Sequence, residues 1–253
     1  MNRQGQGKGA NLVLLHGWGM NSRVFADVAW QLERSFCVHL LDLPGFGQQV
    51  AMADQSHDAE GWLQNLEAQL PAECHLLGWS LGGQLATLLA LRNPQRVRSL
   101  ITVASSPCFV AKEEWPGMQP DVLANFARLL QTDPAKTIDR FLAIQAMGSP
   151  TAREDIRHLR NEVLSAPLPH PAALALGLRL LENLDLRAEL VQLAMPVLQL
   201  FGRLDGLVPV AVAEKIRTLQ PEVKVEIFAS SSHAPFITEP ERFVAEVSRF
   251  LAQ

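Results

Sequence analysis

Hydrophobic and polar residues follow two different patterns along the chain. In the first hundred residues, short and mainly apolar runs alternate with segments whose apolar residues recur at helical spacing. The runs lie at 11–17, 36–41, 74–77 and 97–104. Runs of this kind are typical of strands buried on both faces of a parallel sheet. The alternation of strand and helix therefore predicts parallel strands joined by right-handed crossovers.

The alternation stops near residue 106, and up to residue 190 only helical periodicity remains. Prolines divide this block into four predicted helices, at 120–131, 134–147, 150–165 and 171–182. Alternation then resumes, with predicted strands at 196–201 and 223–228 and predicted helices at 210–219 and 240–251. The helical block is therefore predicted to be an insertion that lies over the carboxyl edge of the sheet.

We accordingly expect an α/β fold with a mostly parallel, doubly wound sheet and a four-helix lid insertion. Residues 1–106 and 191–253 would form the core, and residues 107–190 the lid. Little chain precedes Asn11, so the antiparallel edge strands that usually open such sheets are expected to be short or missing.

A glycine-rich stretch at 78–83, GWSLGG, joins a predicted strand to a predicted helix. Ser80 would lie at the apex of a sharp turn, where Gly78 and Gly82 let strand and helix pass close together. Its hydroxyl would project from the carboxyl end of the sheet, beside the amide of Leu81. This placement favours a nucleophile next to one oxyanion donor. The alternative is an ordinary glycine-rich turn.

A serine nucleophile needs a base to accept its proton. Among seven histidines, His233 lies in the loop after the last predicted strand, at the sheet edge where Ser80 is expected. We therefore predict that His233 is the base. His39 and His75 lie within strands and are expected to be core residues. The remaining loop and surface candidates are expected to be solvated: His57, His158 and His170.

Asp205 follows the strand predicted at 196–201 and is the candidate acid. A carboxylate there would accept the Nδ1 hydrogen of His233 and hold the imidazole in the required tautomer. The alternative for Asp205 alone is a turn residue before glycine. The aspartates of the insertion are expected to be helix caps or surface charges: Asp121, Asp133, Asp139, Asp155 and Asp185.

The turn after the first strand run, HGWG at 16–19, is expected to supply the second oxyanion donor. The amide of Trp18 would act with that of Leu81, and the rings of Trp18 and Trp79 would wall the pocket. His16 is expected to be a hydrogen-bonded structural residue rather than a proton carrier.

The composition excludes several classes of protein. A net charge of −4 argues against a general binder of nucleic acid or of membrane surfaces. No apolar run approaches the ~18 residues of a membrane span. Cys37, Cys74 and Cys108 are widely spaced and odd in number, so we expect buried free thiols, no metal site and a cytoplasmic protein.

With these motifs the chain resembles the α/β-hydrolases throughout. Their shared motifs stand here as LLHGWG at 14–19, DLPGFG at 42–47, GWSLGG at 78–83, DGLVP at 205–209 and HAPF at 233–236. Two more specific motifs are ASSPCF at 104–109 and EWPG at 114–117. They make the chain similar to one family in particular, the pimeloyl-[acyl-carrier protein] methyl ester esterases of biotin synthesis.

This resemblance implies a serine carboxylesterase whose triad is Ser80, Asp205 and His233. It implies an ester substrate carried by acyl carrier protein, and we expect no cofactor. The substrate-binding residues that follow from it are Trp18, Ser80, Leu81, Phe141, Leu142, Ala143, Ile144, Gln145 and His233.

The insertion also carries clustered cations. On the helix predicted at 150–165, Arg153, Arg157 and Arg160 fall within about 60° of one another. Lys136 and Arg140 lie one turn apart on the preceding helix. Spacing alone leaves a solvated face of mixed charge as the alternative. The resemblance favours an acidic carrier protein docked on Lys136, Arg140, Arg153 and Arg157.

Two alternatives remain at this point. One is a broad short-chain esterase, thioesterase or carbon–carbon bond hydrolase on the same triad, and the other is a ligand-binding protein on a hydrolase scaffold. Epoxide hydrolases and haloalkane dehalogenases are disfavoured because the turn carries serine rather than aspartate. The absence of tyrosine also removes the usual lid tyrosines of epoxide hydrolases. We expect a monomer.

Overall fold

The computed structural model describes residues 3–54, 58–164 and 166–253. His57 lies outside these ranges. The core is a seven-stranded sheet whose spatial order is β1-β3-β2-β4-β5-β6-β7. The strands are β1 Arg3–Gln6, β2 Asn11–Leu15, β3 Cys37–Leu41, β4 Cys74–Trp79, β5 Val97–Val103, β6 Val197–Gly202 and β7 Lys224–Phe228.

The strands from β2 to β7 all pair in parallel, which confirms the expected doubly wound sheet. Only β1 is antiparallel. It is four residues long and pairs with β3, so the short opening strand is present rather than missing. From β2 the chain continues to β3 on one side of the sheet, and from β4 it continues to β5, β6 and β7 on the other side. The strand order therefore reverses between β2 and β4. Ligand sites in open α/β sheets form at the carboxyl ends of the strands beside such a switch point.

Helices cover both faces of the sheet. Outside the insertion they are α1 Ala26–Leu32, α2 Ala59–Gln69, α3 Leu81–Arg92, α9 Ala211–Leu219, α10 Pro235–Thr238 and α11 Pro240–Leu251. Short 3₁₀ turns at Ser22–Phe25 and Gly47–Asp54 accompany them. The pattern does not predict the Gly47–Asp54 turns, which are interrupted at Gln49, or the four-residue α10, because neither is long and regular enough to establish a hydrophobic period.

Between β5 and β6 the chain forms α4 Pro120–Thr132, α5 Pro134–Gln145, α6 Ala152–Leu164, α7 Pro171–Asn183 and the short α8 Arg187–Leu190. We call α4–α7 the inserted helices. Their bounds agree with the predicted segments within two residues. Asp133 caps α5 through the amide of Lys136. His170 was expected to be solvated, but its ring nitrogen caps α7.

The two ends of the insertion are joined to each other. The amide of Leu186 donates to the carbonyl oxygen of Pro107 at 2.7 Å. Cys108 and Asp185 form an antiparallel bridge. Asp185 also accepts hydrogen bonds from Lys112 at 2.6 Å and from Arg187 at 2.7 Å. Asp185, a partly exposed charge, is therefore the centre of an ion-pair cluster at the base of the insertion.

The three cysteines are free thiols. Cys74 and Cys108 are buried, and burial raises the pKa of the Cys74 thiol to about 11. Cys37 is only half-buried. Across the described ranges, His, Cys, Asp and Glu side chains form no group of three that could hold a metal ion. In the same part of the chain, every helix is too short or too polar to span a lipid bilayer.

Candidate active site

Ser80 occupies the sharp turn between β4 and α3. Its backbone has φ 55° and ψ −119°, a positive-φ conformation that costs energy for any residue with a Cβ. The amide of Ser80 donates to the carbonyl oxygen of Val103, and the hydroxyl of Ser105 donates to the carbonyl oxygen of Ser80. Hydrogen bonds therefore hold the backbone on both sides of the Ser80 Cα. The Ser80 side chain does not cap α3. The Ser80 hydroxyl is therefore available to the candidate active site.

The turn depends on two glycines. A Cβ on Gly78 would lie 2.2 Å from the carbonyl oxygen of Gly82. A Cβ on Gly82 would lie 2.4 Å from the carbonyl oxygen of Leu15. Both contacts are with backbone and neither can relax by a side-chain rotation. The strand and helix therefore pass as closely as the sequence pattern indicates.

Asp205 and His233 lie together although 28 residues separate them. His233 Nδ1 is 2.7 Å from Asp205 Oδ2, and both side chains are buried. The other carboxylate oxygen accepts the amides of Leu207 and Val208, which fixes its orientation. Because a carboxylate only accepts, Nδ1 carries the hydrogen and Nε2 of the neutral ring is free to take a proton.

The atoms that would exchange this proton are both enclosed. Ser80 Oγ and His233 Nε2 are buried and make no hydrogen bond within the described part of the chain. Trp79 connects the two residues: it directly precedes Ser80, and its indole nitrogen donates to the carbonyl oxygen of His233 at 2.7 Å. Catalytic hydrogen bonds are often long before substrate binds, so the missing bond between these two atoms does not argue against a proton transfer.

Trp18 and Leu81 lie where their amides could serve an oxyanion. Leu81 is the first residue of α3, where an amide has no acceptor within the helix. Trp18 follows β2, the neighbour of β4 in the sheet. A Cβ on the adjacent Gly17 would touch the Cβ of Ser80 at 3.3 Å, so this turn lies against the serine.

His16 is part of the same turn but belongs to its scaffold. Its Nε2 accepts the amide of Leu43 at 3.0 Å, and its Nδ1 hydrogen is directed to the carbonyl oxygen of Gly17 at 2.8 Å. Burial lowers the pKa of His16 from its ordinary 6.5, while Asp42 at 4.0 Å opposes this shift. His16 is therefore a neutral, hydrogen-bonded link between the turns after β2 and β3.

The segment from Phe141 to Gln145 is the end of α5, and its residues point in different directions. Phe141 and Gln145 are buried, and the Phe141 ring packs edge-on against Trp18 with centroids 4.8 Å apart. Leu142 is also buried. Ala143 is exposed and, with Ile144, lines an outer groove of about 380 Å³ between α4 and α5. The structure thus brings the first and last of these residues toward the site and places Ala143 on another face.

The four candidate carrier contacts are exposed cations on neighbouring helices. Lys136 and Arg140 lie on α5, and Arg153 and Arg157 lie on α6. None of these four forms an ion pair with a described residue. Arg160 differs, because it is paired with Asp139 at 3.0 Å.

The inserted helices contact residues beside the buried serine and histidine. Ser80 is 2% exposed and His233 0%. The indole nitrogen of Trp18 donates to Leu174 on α7, and the amide of His233 donates to Gln145 on α5. The inserted helices therefore contact both the Trp18 turn and the His233 loop.

Three contributors were not found from the sequence. Leu174 and Gly177 contact Trp18 from α7, and no local signal distinguishes them from other core positions. The sequence predicts a cap or surface charge at Asp155, but Asp155 is 6% exposed and accepts hydrogen bonds from three hydroxyl groups. The serine and threonine just before it, at 149 and 151, were the only available hint.

Comparison with known proteins agrees with this architecture. The family model for the alpha/beta hydrolase fold matches residues 10–240. An esterase (EaEST) from Exiguobacterium antarcticum superposes with a TM-score of 0.85 at 24% identity, covering 98% of this chain and 93% of its own. A bromoperoxidase from Bacillus anthracis gives a TM-score of 0.86 at 19% identity, with 98% and 94% covered. At such identities these likenesses concern the fold alone.

Sequence relatives are more specific. A protein from Aeromonas hydrophila subsp. hydrophila, named pimeloyl-[acyl-carrier protein] methyl ester esterase, is 49% identical over 97% of this chain and 96% of its own length. A protein of the same name from Vibrio parahaemolyticus is 48% identical, with 98% and 96% covered. The chain therefore belongs to the α/β-hydrolases and, within them, to the family of the pimeloyl-[acyl-carrier protein] methyl ester esterases.

Proposed function

We propose that this protein is a serine carboxylesterase that hydrolyses the methyl ester of pimeloyl-[acyl-carrier protein], releasing methanol and the pimeloyl carboxylate in biotin synthesis. The observation that carries the proposal is the buried hydrogen bond of 2.7 Å between Asp205 and His233, next to a serine held in a strained turn. A strained backbone and a buried, oriented acid–base pair have a cost that a binding protein would not need to bear.

In the proposed acylation step, Ser80 Oγ attacks the carbonyl carbon of the ester while His233 Nε2 takes the hydroxyl proton. Asp205 stabilises the imidazolium that forms, and the amides of Trp18 and Leu81 hold the oxyanion. The bond from the carbonyl carbon to the methoxy oxygen then breaks. The proton on Nε2 passes to that oxygen, and methanol leaves.

Deacylation repeats the same transfers with water. His233 Nε2 takes a proton from the water molecule, whose oxygen attacks the acyl carbon of the acyl-enzyme. The bond to Ser80 Oγ breaks, and Oγ recovers its hydrogen from Nε2. The product is the free carboxylic acid, which ionises to the carboxylate by releasing a proton to solvent, and the chain returns to its starting state.

We further propose that residues 107–190 act as a lid on which an acidic carrier protein docks. The four unpaired cations on α5 and α6 support this reading, since a pair such as Arg160–Asp139 offers less free charge to a partner. The carrier would present its acyl chain beside α5, whose buried side reaches Trp18. Free thiols support a reducing, cytoplasmic location, and we propose that the protein acts there as a monomer.

The test compares hydrolysis of pimeloyl-carrier methyl ester and of p-nitrophenyl acetate by the wild type, by Ser80→Ala and by Ser35→Ala, an exposed control. We expect a strong preference for the carrier ester, and a loss of at least ~10³-fold in kcat for Ser80→Ala only. A nearly normal rate in Ser80→Ala would refute the nucleophile. Activity on the small ester alone would retain the triad and replace the carrier-specific reaction by a general esterase.

A further inference from the structure

Asp155 is a buried carboxylate that the mechanism above does not use. It lies in the first turn of α6 and is 6% exposed. None of its hydrogen-bond partners in the described part of the chain is a cation. Instead, Oδ2 accepts the hydroxyls of Ser149 at 2.7 Å and Thr238 at 3.1 Å, and Oδ1 accepts the hydroxyl of Thr151 at 2.9 Å.

These three bonds differ in what they connect. Ser149 and Thr151 precede α6 directly, so their bonds to Asp155 are local and shape the start of that helix. Thr238 lies 83 residues away, at the end of α10. It is five residues beyond His233. The bond from Thr238 therefore joins an inserted helix to the segment that carries the candidate base.

Two further contacts connect the same parts of the molecule. The amide of His233 donates to the carbonyl oxygen of Gln145 at 3.0 Å. A Cβ on Gly148 would lie 3.5 Å from the side chain of Leu204, next to Asp205. The stretch from 145 to 155 thus contacts the loops of both Asp205 and His233. Within the described residues, Asp155 is the only charged side chain of this stretch that hydrogen-bonds to the segment carrying His233.

We propose that Asp155 is a positioning residue for His233. Through Thr238 it fixes α10 against α6, so that the imidazole keeps its place between Asp205 and Ser80. This inference rests on the proposed role of His233 as the base. It makes formation of the active geometry depend on docking of the lid, since Gln145 and Asp155 both belong to the inserted segment.

The decisive variants differ by one hydroxyl each. Thr238→Val removes the bond that crosses to α10, and Thr151→Val removes a bond of similar length within the insertion. Each should weaken the fold to a similar extent. If Asp155 positions His233, Thr238→Val lowers kcat for p-nitrophenyl acetate about three- to tenfold with KM unchanged, while Thr151→Val stays near the wild-type rate. Thr238→Ser, which keeps the hydroxyl, should restore kcat.

A second pair tests the carboxylate itself. Asp155→Asn keeps an acceptor oxygen for Thr238 and should retain most of kcat, whereas Asp155→Ala should lose it. Equal kcat in Thr238→Val and Thr151→Val, or a loss in Thr238→Val that Thr238→Ser does not restore, would overturn the proposal. The small ester keeps this test independent of carrier recognition, and Ser80→Ala measured in parallel shows separately whether the triad proposal fails.

Discussion

The indole nitrogen of Trp18 donates a hydrogen bond to the carbonyl oxygen of Leu174, 2.8 Å away. Trp18 follows a strand of the core, and Leu174 lies on the inserted helix α7. The turn that would supply one oxyanion donor is therefore held from the insertion rather than from the sheet alone. One turn further along α7, Gly177 leaves room for the same indole ring.

Replacing Gly177 by alanine should disturb the oxyanion turn. The new Cβ would lie 2.6 Å from Trp18 Cδ1 and 3.1 Å from Leu81 Cδ2, so the ring or the helix must shift. We expect kcat for p-nitrophenyl acetate to fall about tenfold or more, because oxyanion donors act only at a defined distance. Overpacking should also lower the free energy of unfolding by about 1–3 kcal/mol. Steady-state kinetics and urea unfolding measure the two effects.

Ala175→Ser is the matched control for that variant. It also adds one heavy atom to α7, but Ala175 lines a surface groove of about 570 Å³. Its kcat should equal that of the wild type. If Gly177→Ala also kept the wild-type kcat, the packing of α7 on Trp18 would have no part in catalysis.

Reversing the charges of Arg153 and Arg157 to glutamate should weaken carrier docking. Both side chains are exposed and lack an ion-pair partner among the described residues. We expect KM for the carrier-bound ester to rise about tenfold or more, while kinetics on p-nitrophenyl acetate stay unchanged. The wild-type KM should also rise with salt, since exposed charges are screened.

The control reverses Lys8 and Arg34, which are exposed on the core and change the net charge by the same amount. This variant should keep the wild-type KM for both esters. Equal losses on the two substrates in the Arg153 and Arg157 variant would contradict the docking surface, because the small ester has no carrier to lose.

His16 should make the protein less stable in mild acid. Burial lowers the pKa of His16 below its ordinary 6.5, so the unfolded chain binds more protons as the pH falls. The stabilising contribution is complete above about pH 6.5 and declines at lower pH. We expect the stability advantage of the wild type over His16→Gln, measured by urea unfolding, to be largest at pH 7–8 and smaller at pH 5.

A stability difference that stayed constant from pH 8 to pH 5 would show that His16 is not kept neutral by burial. His39 and His75 also have pKa values lowered by burial, so the comparison must be made between the two proteins at each pH. Their contributions then cancel.

Asp185 should stabilise the base of the insertion at neutral pH. Its hydrogen bond with Arg187 lowers its pKa well below the ordinary 3.8, so its contribution is present above about pH 4 and is lost as the pH falls further. For a partly exposed cluster we expect about 1 kcal/mol. Urea unfolding of the wild type and Asp185→Asn should show this difference at pH 7 and a smaller one at pH 3. A difference that grew in acid would contradict the assignment.

Local pattern was enough to predict much of this protein. Apolar runs between helical segments predicted the parallel sheet, and the two glycines around Ser80 predicted a turn in which backbone meets backbone. The four inserted helices were predicted to within two residues of their ends. These features depend on the spacing of buried residues and on the backbone conformations that glycine and proline allow. Both are properties of residues close together in the sequence.

The contacts between helix faces and loops could be identified only from the folded chain. Periodicity indicates that one side of α5 is buried, but not that Phe141 meets Trp18 while Ala143 lines an outer groove. Periodicity also gives no indication that the buried Asp155 is hydrogen-bonded to Thr238, 83 residues away. Local sequence was enough for the strands, the serine turn and the order of the candidate triad residues. The contacts that hold these parts together join residues far apart in the chain, so the residues next to each position do not identify its partner.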